Sequence, residues 1–349
     1  MILYIPKSVD IYNSHLKNLI DAYIESDVQV GVGYETFIYG NLIPNVMHFH
    51  MVEHLLGFMN YDQDLFFKKL EFFKKCGTKF IFTAHNLFPH RNLNQFDYLS
   101  FFQKFFQHID LFTHHGQQSI EIFKVKFSLQ DREHIVCPHG DYLKDIQNFD
   151  ESQIEAKRLL KLPEDKKVIL VFGRLQFKNL KFAHAVLDRL KKSIKGCYIL
   201  LAGINPLFRY NDLNHIYNKL NNEILNKFRV RRRILNKRFS NYDTYLLFKS
   251  ADVVFLPHNS GLTSGIIPLA ATIGKPFVYP NIGVFAEQAK FCKCEEYECS
   301  NVEQAYKAIM KLLSTSDASF DNTIWLANNS WNDHVKLILN KIKNLGWKY

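Results

Sequence analysis

FLPHNSGLTSGIIPLAATIGKPFV, residues 255–278, is the stretch on which the fold turns. An apolar run ends at Pro257. Small polar residues and glycines follow, from His258 through Asn259, Ser260, Gly261, Thr263 and Ser264 to Gly265. An apolar, Ala-rich segment then stops at Gly274-Lys275-Pro276. The order is strand, loop, helix, strand. The first turn of a helix carries unpaired backbone N–H groups and the positive end of the dipole. Glycines let a ligand approach the backbone, and hydroxyls add donors. A phosphate suits such a site. An ordinary strand-to-helix turn with a Ser or Thr cap uses the same residues, so the surroundings must decide.

The pattern repeats outward. The 349 residues suggest two domains. Short apolar runs alternate with amphipathic ones from Ile2 onward, which predicts parallel sheets covered on both faces. Residues 1–145 form a first Rossmann-like domain, 146–166 a polar linker with one helical piece, "ESQIEAKRLL", and 167–328 a second domain. Residues 329–349 form a terminal helix free to pack back on the first. Strands are expected at 2–5, 28–32, 46–50, 79–84, 111–113 and 134–137, then at 168–172, 197–202, 234–238, 253–256 and 277–279. Helices are expected at 11–25, 64–75, 95–108 and 117–127, and later at 213–227, 242–250 and 302–313. "HFH", "HNLFPH", "FGRLQFK" and "PHNSGLTSG" all follow predicted strands. Ligands gather at the C-terminal ends of such strands, and two domains of similar size suggest a ligand between them.

Charge is uneven. Residues 1–150 hold 13 Lys/Arg and 17 Asp/Glu, whereas 151–349 hold 31 and 17, within a net of +10. The densest basic run is Arg229, Arg231, Arg232, Arg233, Lys237 and Arg238. Nucleic acid, an anionic membrane surface or a charged substrate would each suit it, as would a solvated face. No segment reaches about 18 uninterrupted apolar residues, so no membrane-crossing helix is expected, and the start lacks a signal-peptide layout. Six scattered cysteines are expected as free thiols in a reducing compartment. Cys292, Cys294 and Cys299 lack zinc-finger spacing and read as a surface turn.

The chain resembles GT-B glycosyltransferases of the family 4 type. "VILVFGRLQFKNL" is similar to their "vilfvGRl...KG" segment, and "YDTYLLFKSADVVFLPHNSG" to "lyaaADvfvlPS". "IGKPFVYPNIGVFAE" is similar to "cGkPVia.d.GglpE". "TAHNLFPH" and "VMHFHMVEHL" resemble the "TvHNlyPHe" and "vvHfHwpehl" variants of bacterial polysaccharide enzymes, and "SWNDHVKLIL" resembles the usual last helix. The resemblance implies two doubly wound domains facing a cleft, the second holding a UDP- or GDP-linked sugar and the first the acceptor. It implies transfer to a hydroxyl of a glycan or lipid-linked saccharide, in bacterial surface polysaccharide synthesis. The expected place is the cytoplasm, with peripheral contact to an anionic membrane and no nucleic-acid partner. No cofactor or metal is implied. Arg174 and Lys178 would neutralise the leaving diphosphate.

The other implied donor contacts are Gly173, His258, Ser260, Gly261, Thr263, Ser264, Gly265 and Glu287. His85 would face the donor sugar, by hydrogen bond or by carrying charge in the transition state. His48, His50 and Glu53 line another strand end, where Glu53 is a candidate base that deprotonates the acceptor, or else a helix-start carboxylate, and His50 a further catalytic candidate. His90 follows His85 by five residues, and His114 and His115 read mainly as structural. Many retaining members carry two glutamates eight positions apart around this loop. Here those positions fall near Gly261 and Leu269, and no acid lies between 253 and 286. Stereochemistry therefore stays open. A nucleotide-sugar epimerase of the same fold and a basic nucleic-acid binder are the alternatives.

Overall fold

The computed structural model describes residues 1–7, 14–87, 96–174, 177–194, 196–204, 232–315 and 319–347; the side chains of 177, 178, 204, 232–234 and 236 are outside that set. The chain divides into two compact units, Met1–Asp141 with Asn328–Tyr349, and Tyr142–Ala327.

In unit 1 the apolar runs become strands β1 (Ile2–Ile5), β2 (Gln29–Val32), β3 (Val46–Phe49), β4 (Lys79–Thr83), β5 (Leu111–His114) and β6 (Glu133–Val136). Their order is β2-β1-β3-β4-β5-β6, and every pairing is parallel. Helices α1 (Ser14–Glu25), α2 (Glu35–Tyr39), α3 (Val52–Phe58), α4 (Gln63–Lys75), α5 (Tyr98–Phe106) and α6 (Gln117–Phe127) connect them. Alternation along the strands divides the core. Phe49, Phe80, Phe82 and Phe112 meet Phe66 and Phe105 on one face, with Phe49 edge-on to Phe80 at 5.6 Å and to Phe105 at 5.4 Å. The Phe-Lys stretch 65–75 thus buries Phe66, Phe67, Leu70 and Phe73. Asp62 caps α4 by accepting from the Leu65 N–H.

Unit 2 starts with α7 (Leu143–Ile146) and α8 (Gln153–Leu159); α8 is the helical piece expected at ESQIEAKRLL, and the stretch expected as a linker belongs to the folded unit. Ser152 and Glu155 form a capping box at α8, and Ala156 is buried with Tyr245 and Leu246. Then come β7 (Lys167–Arg174), α9 (Phe177–Ser193), β8 (Cys197–Ile204), β9 (Arg232–Asn236), α10 (Asn241–Ser250), β10 (Val253–Phe255), α11 (Ile266–Ile273), β11 (Phe277–Pro280), α12 (Phe285–Gln288), β12 (Cys294–Tyr297), α13 (Val302–Leu313) and α14 (Thr323–Asn328). The sheet order is β12-β11-β10-β7-β8-β9, again parallel throughout. The helix expected at 213–227, His90, Arg229 and Arg231 lie outside the described residues.

Buried Asp252 ties this sheet together. It accepts the Val168 N–H at 2.8 Å and meets Lys157 Nζ at 3.4 Å and Lys167 Nζ at 3.2 Å. The Asp of the "ADVVF" motif is therefore structural. Cys294 corrects the surface-turn reading: it opens edge strand β12, paired with Phe277, and packs with Cys292 against the core. Burial pushes the Cys294 thiol up to about 12. None of the six cysteines, all of them among the described residues, forms a disulfide.

The last helix, α15 (Trp331–Asn344), belongs to unit 1. Trp331, Val335, Ile338 and Ile342 join Leu3, Ile5, Leu16, Leu19, Ile81 and Leu111 on the second face of that sheet. The Trp331 indole N–H donates to the Asp141 carbonyl at 2.7 Å. A Cβ at Gly140 would meet that indole at 2.3 Å, so the residue must be glycine. Among the described residues, no helix is long and apolar enough to cross a membrane.

Candidate functional site

Each sheet reverses strand order once. In unit 1 the reversal lies between β1 and β3, and in unit 2 between β7 and β10. Open parallel sheets bind ligands beyond the strand C-termini at this switch point. The sequence candidates fall at these two places.

In unit 1, Lys7 follows β1, His50 follows β3, His85 follows β4, and His115 follows β5. Lys7 is buried, and its Nζ lies 3.1 Å from Met51 Sδ, across the switch point. Met51 is strained into the left-handed region at φ 46°, so α3 starts abruptly and Glu53 sits in its first turn. Burial raises the Glu53 carboxyl above its ordinary range, against the opposing pull of a backbone hydrogen bond and of Lys7. Burial also lowers Lys7, which the Glu53 charge counters. A carboxyl shifted toward neutrality at a sheet edge is the type of group that works as a general base.

His50 Nδ1 and His85 Nε2 lie 2.9 Å apart. Burial holds both rings well below the usual histidine range, helped by neighbouring histidines and by Lys7. They are neutral near pH 7. That suits hydrogen bonding to a sugar and disfavours the charge-carrying role also considered for His85. His48, beneath them, bridges Tyr23 Oη (3.1 Å) and Thr83 Oγ1 (2.7 Å), and Thr83 reaches Thr113 at 2.7 Å. His48 is thus part of the supporting network, and burial lowers it to about 3.

Sequence reasoning missed Lys7, His15, His139 and His334, and underrated His115. His15, on α1, stands 4.7 Å from His85 and 4.9 Å from His139, ring centre to ring centre. His115 stands 5.3 Å from His85 and 5.8 Å from His334. The available signal was positional: "THH" and "CPH" each follow a strand as "HFH" does. His114 itself points elsewhere, to Ser119 at 2.7 Å and His134 at 3.0 Å, and is structural as expected.

In unit 2, Gly173 and Arg174 end β7, and Arg174 is exposed. Gly173 (φ 108°) stands beside Gly203 (φ 151°) of β8. A Cβ at Gly203 would come within 1.7 Å of the Gly173 carbonyl oxygen, and one at Gly173 would meet Ile266 Cδ1 at 3.0 Å. The end of β7 therefore lies against the start of α11. Lys178 is the second residue of α9; its side chain lies outside the described set.

The loop 256–265 is held from behind. The Ser264 N–H donates to Gln288 Oε1 at 3.0 Å, and Gln288 Nε2 donates to the Ser264 carbonyl at 3.3 Å. Ser264 Oγ accepts from the Ile266 N–H at 3.2 Å. Ser264 is buried and serves the loop itself, and its amide is taken. Pro268 has no N–H, which leaves Gly265 and Ile267 as the amides that open the helix without an internal acceptor. Ser260, Gly261 and Gly265 are exposed, with Gly261 at φ 156°; Thr263 and His258 are half-buried, and His258 stands edge-on to Phe285 at 5.6 Å. Glu287 is exposed on α12. Of the basic run, Arg232 and Arg233 lie on β9, and Lys237 pairs with Asp243 at 3.2 Å.

No protein-family model and no curated protein matches the chain by sequence. Solved structures do match it by shape. A sucrose-phosphate synthase from Thermosynechococcus elongatus superposes with a TM-score of 0.71 at 13% identity, covering 99% of this chain and 98% of that one. Anabaena HepE, in complex with UDP-glucose, gives 0.66 at 14% identity over 98% and 99%. A Burkholderia xenovorans trehalose-phosphate synthase, in complex with glucose-6-phosphate, gives 0.65 at 11% identity over 98% and 100%. The chain has the GT-B fold. In this GT-B chain each of the two sheets carries one set of candidate groups at its own switch point.

Proposed function

We propose that the chain is a hexosyltransferase that moves a sugar from a UDP- or GDP-linked donor to a hydroxyl of a glycan or lipid-linked saccharide. The setting we propose is bacterial surface polysaccharide synthesis, in the cytoplasm at the inner face of the plasma membrane. The observation that carries this reading is the pairing of chemistries at the two switch points. One offers glycines, helix-start amides and Arg174; the other offers Glu53, raised by burial and facing Lys7, and the neutral pair His50 and His85. The fold shared with a protein that holds UDP-glucose supports it.

In this reading the bond between the anomeric carbon and the diphosphate oxygen breaks, and its electron pair leaves on the diphosphate. Arg174, Lys178 and the Gly265 and Ile267 amides take up that charge without a metal. The acceptor oxygen bonds the anomeric carbon, and its proton passes to Glu53. His50 and His85 orient sugar hydroxyls. Glu287 and the half-buried Thr263 and His258 complete the donor contacts.

The test is calorimetry of the full chain against a panel of UDP- and GDP-sugars, followed by a transfer assay with glycan acceptors. We expect one nucleotide sugar to bind and to be consumed only when acceptor is added. Binding of no nucleotide sugar overturns the reading. A stereoisomer appearing without acceptor identifies an epimerase instead.

A further inference from the structure

The unit 1 histidines form more than a hydrogen-bonded layer. Each of His15, His85 and His115 offers one ring nitrogen within 4.8 Å of the others. Their protonation follows from their neighbours, because a carbonyl can only accept. The His139 Nδ1–H donates to the Gly140 carbonyl at 2.7 Å, so His139 Nε2 is an acceptor. His15 Nδ1, 3.1 Å away, must therefore carry its proton toward it. His115 Nδ1–H donates to the Cys137 carbonyl at 3.1 Å. In a neutral imidazole the opposite nitrogen is then a bare lone pair. Both of these, His15 Nε2 and His115 Nε2, are buried and have no hydrogen-bond partner among the described residues. An unpartnered buried polar atom costs about 1–3 kcal/mol, and two of the three rings of this cluster carry one.

We propose that His15, His85 and His115 bind one divalent transition metal ion of the zinc class, with a fourth position open. Neutral imidazoles suit Zn, Cu, Fe and Ni. The outer contacts are those of a histidine metal site, in which the second ring nitrogen donates to a carbonyl or a further acceptor. The His15 side also meets the Trp331 indole, edge-on at 4.7 Å, which shields it from water. Zn–N bonds of about 2.0–2.1 Å set ligand nitrogens roughly 3.3 Å apart in a tetrahedron, so binding draws the rings together by about 1 Å. The site lies wholly in unit 1 and shares only His85 with the groups proposed for transfer; with the metal bound, orienting the sugar falls to His50. It does not rest on the transfer reading.

The experiment reads binding, not turnover. Chelator-treated full chain is titrated with ZnCl2 against a chromophoric competitor, and with CoCl2 while recording the visible spectrum. The expected result is one equivalent of zinc at micromolar affinity or tighter, and d–d bands of the intensity typical of four-coordinate cobalt. His15→Gln and His115→Gln should each weaken zinc by about 100-fold, with His114→Gln as the control that leaves it unchanged. Absence of stoichiometric zinc and cobalt binding to the unaltered chain overturns the proposal whatever the variants do. So does unchanged affinity in both ligand variants once circular dichroism shows them folded.

Discussion

Around β1 and β3 the chain gathers Lys7, His50, Glu53, His85 and His115, with His48 below. At the same topological position of the second sheet, between β7 and β10, it gathers Gly173, Arg174, Ser260, Gly261 and Gly265. The first set is mostly buried and titratable. The second is mostly glycine, hydroxyl and exposed cation. One topology thus supports two ways of building a polar edge. Unit 1 uses side chains that must stay neutral to stay buried. Unit 2 uses backbone that must be free of Cβ atoms to come close.

The largest difference should appear on acidification. Burial lowers His48 to about 3 and His334 to about 4. Their folded values lie below the unfolded value of about 6.5, so the unfolded chain binds more protons as pH falls. The stability they contribute is present above pH 6.5 and is lost below it, at about 1.4 kcal/mol per pH unit for each. In unit 2, burial lowers Lys275 to about 7, so its charge changes above that window. Hydrogen exchange followed from pH 7 to 4.5 should show unit 1 opening before unit 2. Equal protection in both units at pH 4.5 would erase the contrast.

The backbone half of the comparison breaks at Gly203. Gly203→Ala drives a Cβ into the Gly173 carbonyl at 1.7 Å, at φ 151°. We expect a loss of about 4 kcal/mol or failure to fold. Gly173→Ala meets only the flexible end of Ile266, at 3.0 Å, and should cost about 1–3 kcal/mol. Urea denaturation that ranks the two the other way contradicts the close-approach argument.

The side-chain half is sharpened by Glu53→Gln. A general base contributes about 10²–10⁴ in rate, so kcat should fall by at least about 100-fold while donor affinity holds. Because burial raises the Glu53 pKa, the acid limb of the unaltered enzyme's rate profile should lie above pH 4.5. The carboxylate is the active form, so activity rises with pH through that limb. A variant that keeps the limb and the rate would return Glu53 to a helix-start carboxylate.

The fold was readable because parallel strands buried on both faces are nearly continuous apolar runs. Val168–Phe172 and Lys79–Ala84 could be located that way within two residues. Short helices other than α8 were not readable. α2, α3, α12 and α14 run four to seven residues, too few for a 3.6-residue period to emerge. Strand β12 was hidden because an edge strand with one exposed side reads CEEY. At the sites, residues just past strand ends were legible, whereas His15 and His334 come from helices. Only the tertiary fold brings α1 and α15 to the same sheet. The role of Ser264 in the loop was hidden for a related reason. Its small polar type suits a ligand or a loop equally, and its partner Gln288 lies 24 positions away.

That last contact gives the smallest effect and the finest test. Among the described residues, the Gln288 side chain hydrogen-bonds to the Ser264 backbone, which it holds from both sides, while the Gln288 carbonyl accepts the Trp325 indole N–H at 3.1 Å. Gln288→Leu leaves the indole contact, which is to backbone, and strands the Ser264 N–H and carbonyl. We expect a stability loss of about 1–2 kcal/mol, since the loop can shift partly toward water. Donor affinity should fall with it, because the amides of Gly265 and Ile267 are aimed only while Ser264 is fixed. Gln288→Glu separates the two contacts: the carboxylate still accepts from the Ser264 N–H but faces the Ser264 carbonyl with no proton to give. If the glutamate variant matches glutamine in donor affinity, the N–H contact alone sets the loop. If it matches leucine, both contacts are required. Unchanged donor affinity in the leucine variant would mean that the loop stands without Gln288, and that unit 2 builds its polar edge from glycine alone.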